Sequence, residues 1–332
     1  MTLYIIGASA IEYWRSPRFG EPRRSRAALP FGAERAPRDA GFDPADLAKL
    51  HAAGVGGLSK PFHLLVPDAS ARRRCADATF HVCTQRLPEG SFLRLSRDVL
   101  VSSPEMACLS EASSRRFPFF VELLYELCGY YRLPQGRGGE AIVQPPATSA
   151  SDLESFAGKA RGLHGASSLK RAVRYVCDNS LSPMETDITE TMLLDPRMGG
   201  FGVAKPLLNP RFAVSRKNRR VLPQSTYLPD LYWPQADISI EYESDKHHSD
   251  SRKLSEDAVR RNGIEHLGTR VVTLTWEQAK NYYEFERVAL LIASALGKRY
   301  SPHWQKWEDR RIALHRMLVQ NRTTKALPSD LP

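Results

Sequence analysis

Asp230, Glu241 and Glu243 are the residues whose types and spacing could do chemistry in this chain. Apolar and polar residues alternate through Ile238-Ser239-Ile240-Glu241-Tyr242-Glu243, and side chains two apart on a strand point to one face of a sheet. Glu241 and Glu243 therefore project together. A hairpin through Pro234-Gln235-Ala236 would bring Asp230, on the preceding strand, beside them. Three carboxylates that close repel one another and stay ionised at neutral pH only around a cation. Oxygen ligands select Mg²⁺ or Mn²⁺, and a metal held this way activates water and neutralises charge on a phosphate, the chemistry of phosphodiester hydrolysis. The alternative is a solvated acidic strand end, which is the weaker of the two here because apolar residues flank the acids on both sides.

The elements that must position these acids read as helix, three strands, helix, strand. A helix starts at Ser182-Pro183-Met184-Glu185 and runs to about residue 194, with a serine cap and a proline in its first turn. Residues 201–205 and 211–214 suggest a strand, followed by a basic loop carrying Arg216, Lys217, Arg219 and Arg220. Residues 227–233 and 237–243 form the second and third strands. A helix over 255–267, ended by Gly268, precedes a last β-rich run over 269–276.

Upstream, a short strand at 3–6 leads into a helix over 8–15, stopped by Ser16-Pro17. An arginine-rich stretch follows, with Arg15, Arg18, Arg23, Arg24, Arg26, Arg35 and Arg38. Four short runs at 63–66, 79–82, 92–95 and 99–101, bounded by turn residues, predict a small antiparallel sheet. Ser103-Pro104-Glu105 opens a helix reaching about 127 with a break near Pro118. Residues 133–151 are poor in large apolar side chains and broken by Pro and Gly. The expected organisation is an α+β domain over 1–132, a linker over 133–151, a helical lead-in and catalytic core over 152–300, and a helix and tail over 301–332.

Composition bounds the partners. The 332 residues are 42% hydrophobic and 25% charged, as in an ordinary globular protein. No apolar run is long enough to span a bilayer, the opening residues lack a basic start and a cleavage site, and the expected location is the cytoplasm. Five scattered cysteines without a CxxC pair argue against a disulfide framework or a zinc finger. The formal net charge of +10 suits a polyanion, because Lys and Arg that neutralise phosphates release counterions.

The string YLPDLYWPQADISIEYESDKHH, followed by EDAVRRNGIEHLGTRVVTLTW, resembles the very-short-patch-repair-like (Vsr-like) branch of the PD-(D/E)xK nucleases. That resemblance covers about residues 182–276 and implies a three-layer α/β/α restriction-endonuclease-like core with a small mixed sheet. It assigns Asp230 as the motif aspartate, Glu241 as the strand acid, and His247 and His248 as the histidine pair that handles protons. Glu243 stands where relatives usually have Asp followed by Gly. Glu185 matches the acid that the family often supplies from its first helix, and Ser182-x-x-Glu185 is equally a capping box. Arg260 and Arg261 match the helix that follows and become candidate phosphate contacts. The superfamily's motif lysine is missing two residues after Glu241, as in relatives of this branch; Lys205, Lys246 or Lys253 would have to substitute. More faintly, residues 10–15, 63–67, 80–90 and 99–109 resemble the AbiEi-like antitoxin domain.

Two functions follow as expectations. The first is a Mg²⁺-dependent endonuclease acting on DNA in defence or repair, with Asp230, Glu241 and Glu243 on the metal. The second is a catalytically silent nuclease fold serving as a DNA-binding regulator of antitoxin type. The aromatic and basic segment with Trp304, Trp307, Arg310, Arg311 and Arg316 is read as a helix packed on its own core.

Overall fold

Leu3, Tyr4 and Ile5 are almost completely buried and form the middle strand of the first sheet. The computed structural model describes residues 2–16, 42–72, 74–244, 251–300 and 302–322, and the chain divides into two compact units, Met1–Val176 and Cys177–Pro332. Most of the arginine-rich loop, together with Lys246, His247 and His248, lies outside the described residues.

The first unit runs β1 (Leu3–Ile5), α1 (Gly7–Arg15), α2 (Leu47–Ala52), β2 (Phe62–Val66), β3 (Ala78–Val82), β4 (Phe92–Arg94), β5 (Val99–Ser102), α3 (Pro104–Glu111), α4 (Phe117–Cys128), β6 (Tyr131–Arg132), β7 (Ile142–Val143), α5 (Ala150–Lys159) and α6 (Ala166–Val173). Five of its strands form a sheet in the order β3-β2-β1-β5-β4, and β6 and β7 pair separately. The sheet is mixed, not antiparallel: β2 and β3 run parallel, as do β1 and β5. Pro67, Asp68 and Ser70 do mark a chain break, but residues 67–77 make a connection long enough to carry the chain back to the start of β2, so turn residues there set no strand direction. Ser103 caps α3 by accepting from the Met106 N–H at 3.2 Å, and the break before α4 falls at residues 112–116. Helices α5 and α6 pack against each other and against α3 and α4, so the division at 176/177 follows them.

The second unit runs α7 (Pro183–Leu193), β8 (Leu207–Leu208), β9 (Phe212–Ala213), β10 (Thr226–Tyr227), β11 (Leu231–Trp233), β12 (Ile238–Glu243), α8 (Ser251–His266), β13 (Arg270–Thr275), α9 (Trp276–Lys280), α10 (Tyr282–Ala295) and α11 (Glu308–Leu318). Its main sheet, β13-β12-β11-β8, is mixed: β12 runs antiparallel to β11 and parallel to β13. The alternation in β12 puts Ile238 and Ile240 in the core, with Leu231 and Trp233 of β11, Ile188 and Met192 of α7, and Phe285 and Ile292 of α10 also buried. Trp304 stacks 3.7 Å from the guanidinium of the buried Arg311, so the aromatic and basic tail serves its own unit's packing.

Two expected strands are laid out differently. Residues 201–205 do not pair as a strand, because the N–H groups of Phe201, Gly202 and Val203 donate to the carbonyls of Thr191, Leu194 and Met192. They satisfy acceptors that the end of a helix leaves open. Residues 227–233 are split into β10 and β11 at Pro229, which has no N–H to give a ladder. The β9–β10 hairpin is a separate two-stranded sheet, held to α8 by a cluster of Val214, Leu222, Tyr227 and Ile264.

Gly263 is what lets α8 lie on that hairpin. A Cβ there would stand 2.1 Å from Cε1 and 2.3 Å from Cζ of the Tyr227 ring, and Tyr227 is buried. Gly263→Ala gains about 1 kcal/mol of helix propensity, yet overpacking of a filled core costs about 1–3 kcal/mol. The expected result is a net destabilisation, read as a lower denaturant midpoint of the full chain.

Candidate active site

β11 and β12 form the hairpin that carries the acids. Its register pairs Leu231 with Ile240, which sets Asp230 across from Glu241. The turn is pinned by Asp237, which adopts φ +45° and accepts at Oδ1 from Tyr232 Oη at 3.0 Å and Thr269 Oγ1 at 2.8 Å. The two carboxylates are fixed reciprocally by each other's strand. The Asp230 N–H donates to Glu241 Oε1 at 3.2 Å, and the Tyr242 N–H donates to Asp230 Oδ2 at 2.8 Å. Both residues are more than nine-tenths buried.

Glu185 reaches the same place from the first turn of α7. The Ser182 side chain caps the helix by accepting from the Glu185 N–H at 3.2 Å. The carboxylate does not return to the Ser182 N–H as a capping box would. Its Oε2 accepts from the Leu181 N–H at 2.9 Å and from Asn209 Nδ2 at 2.7 Å. Burial, and then the charge of Asp230, push the Glu185 carboxyl up to about 7. The same two causes push Glu241 up to about 8, against the opposing pull of Arg260.

Two arginines on α8 face the acids. Arg260 spans Asp230 Oδ1 at 3.2 Å and Glu241 Oε2 at 3.3 Å, while Arg261 pairs with Glu243. Asp230 and Glu241 are thus brought together under one guanidinium, Glu185 is linked to Asp230 through Asn209 and feels its charge, and Glu243 is held by a different cation. Among the described residues no set of three His, Cys, Asp or Glu side chains is arranged to hold a metal ion. Arg216, Lys217, Arg219 and Arg220 are exposed on the loop joining β9 to β10. That loop carries no acid of the site, but its hairpin is the one packed on α8.

Asn209 is a site residue that sequence reasoning missed. It follows β8 with φ +49°, its N–H donates to the Asp230 carbonyl at 3.0 Å, and its side chain joins Glu185 to the carbonyl of Asn179. The Asn209-Pro210 dipeptide was the available signal, since Asn before Pro marks a turn.

The donors are of the type a hard cation takes, although Arg260 bridges Asp230 and Glu241 and no three-ligand set is present among the described residues. Asp230 and Glu241 offer oxygen ligands only, and two neighbouring buried carboxylates whose protonation is favoured by burial and mutual repulsion are a pair that a cation stabilises. No helix among the described residues is long and apolar enough to cross a membrane. Compared with protein-family models, with curated proteins and with solved structures, the chain matches none.

Proposed function

We propose that the Cys177–Pro332 unit is a metal-dependent endonuclease with a restriction-endonuclease-like core, hydrolysing phosphodiester bonds in DNA. The observation that carries this is the locked pair Asp230 and Glu241, buried on adjacent strands with Glu185 beside Asp230. Asp230 and Glu241 would hold Mg²⁺ or Mn²⁺, with Glu243 as a further candidate ligand. The metal supplies an activated water and charge neutralisation on the phosphate.

The chain's own residues do the rest. Glu185, whose carboxyl titrates near neutrality, is suited to passing a proton at the edge of the site. Arg260 and Arg261 bring two guanidinium groups to the acids, and a guanidinium matches phosphate geometry in a bidentate way. His247 and His248 remain candidates for proton transfer to the leaving oxygen. Arg216, Lys217, Arg219 and Arg220 supply an exposed cationic loop for the DNA backbone, in keeping with the net charge of +10. Replacing those four with Ala should weaken DNA binding and flatten its dependence on salt, by about 0.9 in log–log slope for each phosphate that is no longer neutralised. Binding isotherms at several salt concentrations measure this.

Plasmid cleavage tests the assignment. The unsubstituted chain should nick or linearise DNA in Mg²⁺ or Mn²⁺ and lose that activity on chelation, and Asp230→Ala or Glu241→Ala should be inactive. One observation favours the DNA-binding regulator of antitoxin type instead: Arg260 bridges the two acids and can serve as their permanent counter-ion. That protein would retard DNA in a gel with or without metal and cleave nothing.

A further inference from the structure

The Met1–Val176 unit contains a second constellation of ligand type, unrelated to the carboxylates of the nuclease reading. His63 on β2 and His81 on β3 lie on neighbouring parallel strands, with His81 level with Leu65 in the register. His63 and His81 therefore share a face as diagonal neighbours. Their rings are stacked, with centroids 5.0 Å apart and planes 25° from parallel, and His63 Nδ1 faces His81 Nε2 at 2.8 Å. Both side chains are half-buried.

The backbone holds this pair in place. The His63 N–H donates to Ser9 Oγ at 2.9 Å and its carbonyl accepts from Ile6 at 2.9 Å. Gly7, the first residue of α1, has φ +57°, and a Cβ there would sit 3.4 Å from His63 Nδ1 and 3.6 Å from Glu111 Oε1. The absence of that side chain keeps an open gap between the imidazole and the carboxylate. Glu111 is steadied by Arg115 Nε on its other oxygen at 2.9 Å, which leaves Oε1 turned to the gap.

We infer that His63 and His81 chelate a first-row divalent cation of the imidazole-preferring group, Zn²⁺ foremost, through Nδ1 and Nε2, with water completing the coordination and Glu111 accepting from that water. Two nitrogens at about 2.0–2.1 Å on a tetrahedral ion stand roughly 3.3 Å apart. The two nitrogens would therefore have to move about 0.5 Å further apart than the 2.8 Å of the hydrogen-bonded pair to hold such an ion. Each imidazole keeps its proton on the nitrogen away from the metal. With two protein ligands in place of a cage of three or four, the ion is exchangeable and imidazole chemistry selects it over Mg²⁺.

The test titrates the full chain with Zn²⁺ against a chromophoric chelator, in excess Mg²⁺ so that oxygen-ligand sites are filled. The chain and its Asp230→Asn variant should each take one equivalent of Zn²⁺. His63→Ala and His81→Gln should weaken binding by more than the roughly 10–100-fold that losing an outer-sphere partner costs. His ¹H–¹⁵N spectra of the unsubstituted chain give a second readout that needs no folded variant, with Zn²⁺ expected to shift two rings. Failure of the chain to bind Zn²⁺, or equal binding by both histidine variants, overturns the site and leaves an N–H···N hydrogen bond between two strands. Loss of Zn²⁺ in Asp230→Asn with retention in His81→Gln would place the ion in the other unit.

Discussion

Metal-free Glu241→Gln protein will unfold at a higher temperature than the unsubstituted chain at pH 8, and on the proposed nuclease reading it will cleave DNA at least about 10²-fold more slowly once Mg²⁺ is supplied. The two effects have one origin. Burial and the neighbouring Asp230 raise the Glu241 carboxyl from an ordinary 4.5 to about 8 in the folded chain. The folded state then binds a proton that the unfolded state has already released, so this group's contribution is fully present below about pH 4.5 and is lost as pH rises to 8. Glutamine carries no charge to desolvate, and it can still accept from the Asp230 N–H. The gain at pH 8 is on the order of 1–3 kcal/mol once the lost attraction to Arg260 is set against it. It should vanish near pH 4. Thermal melts of both proteins from pH 4 to 8, without and with Mg²⁺, measure this, and Mg²⁺ should narrow the difference by stabilising the unsubstituted chain alone. Equal melting temperatures across the range would mean that Glu241 is not strained by its surroundings.

Arg322→Ala has the larger expected effect on folding. Asp187, at the centre of α7, is completely buried, and Arg322, in the 3-10 turn after α11, meets both of its oxygens, with Nη2 2.9 Å from Oδ1. Removing one partner of a buried ion pair costs about 3–5 kcal/mol. α7 also carries Glu185, so the loss should reach the candidate site, lowering the unfolding midpoint and, on the nuclease reading, the fraction of chains competent to cleave. The double variant Asp187→Asn, Arg322→Ala should recover part of the stability, which a double-mutant cycle by urea denaturation reads directly.

Local chemistry made much of this legible. Ser103-Pro104 and Ser182-Pro183 announce α3 and α7 because caps are written within four residues of sequence. The alternation through residues 238–243 and the turn at Pro234 place Asp230 beside Glu241 because a two-residue period and a tight hairpin leave little choice of register. What was not legible depends on distant partners. The parallel pairing of β2 with β3 is decided by residues far apart in the chain. Residues 201–203 look like a strand, yet their N–H groups are claimed by the end of α7. Arg260 has the composition of a phosphate contact, and only the placement of α8 turns it onto Asp230 and Glu241.

The split of residues 227–233 has a mechanical consequence. Tyr227 is clamped beneath α8 at the root of the cationic hairpin, and Asp230 stands at the head of β11; Leu228 and Pro229 alone join them. A linkage that short, stiffened by a proline ring, transmits displacement instead of absorbing it. A shift of the cationic hairpin is therefore passed on to Asp230, and on the proposed reading engagement of a phosphate backbone there would be felt at the carboxylates.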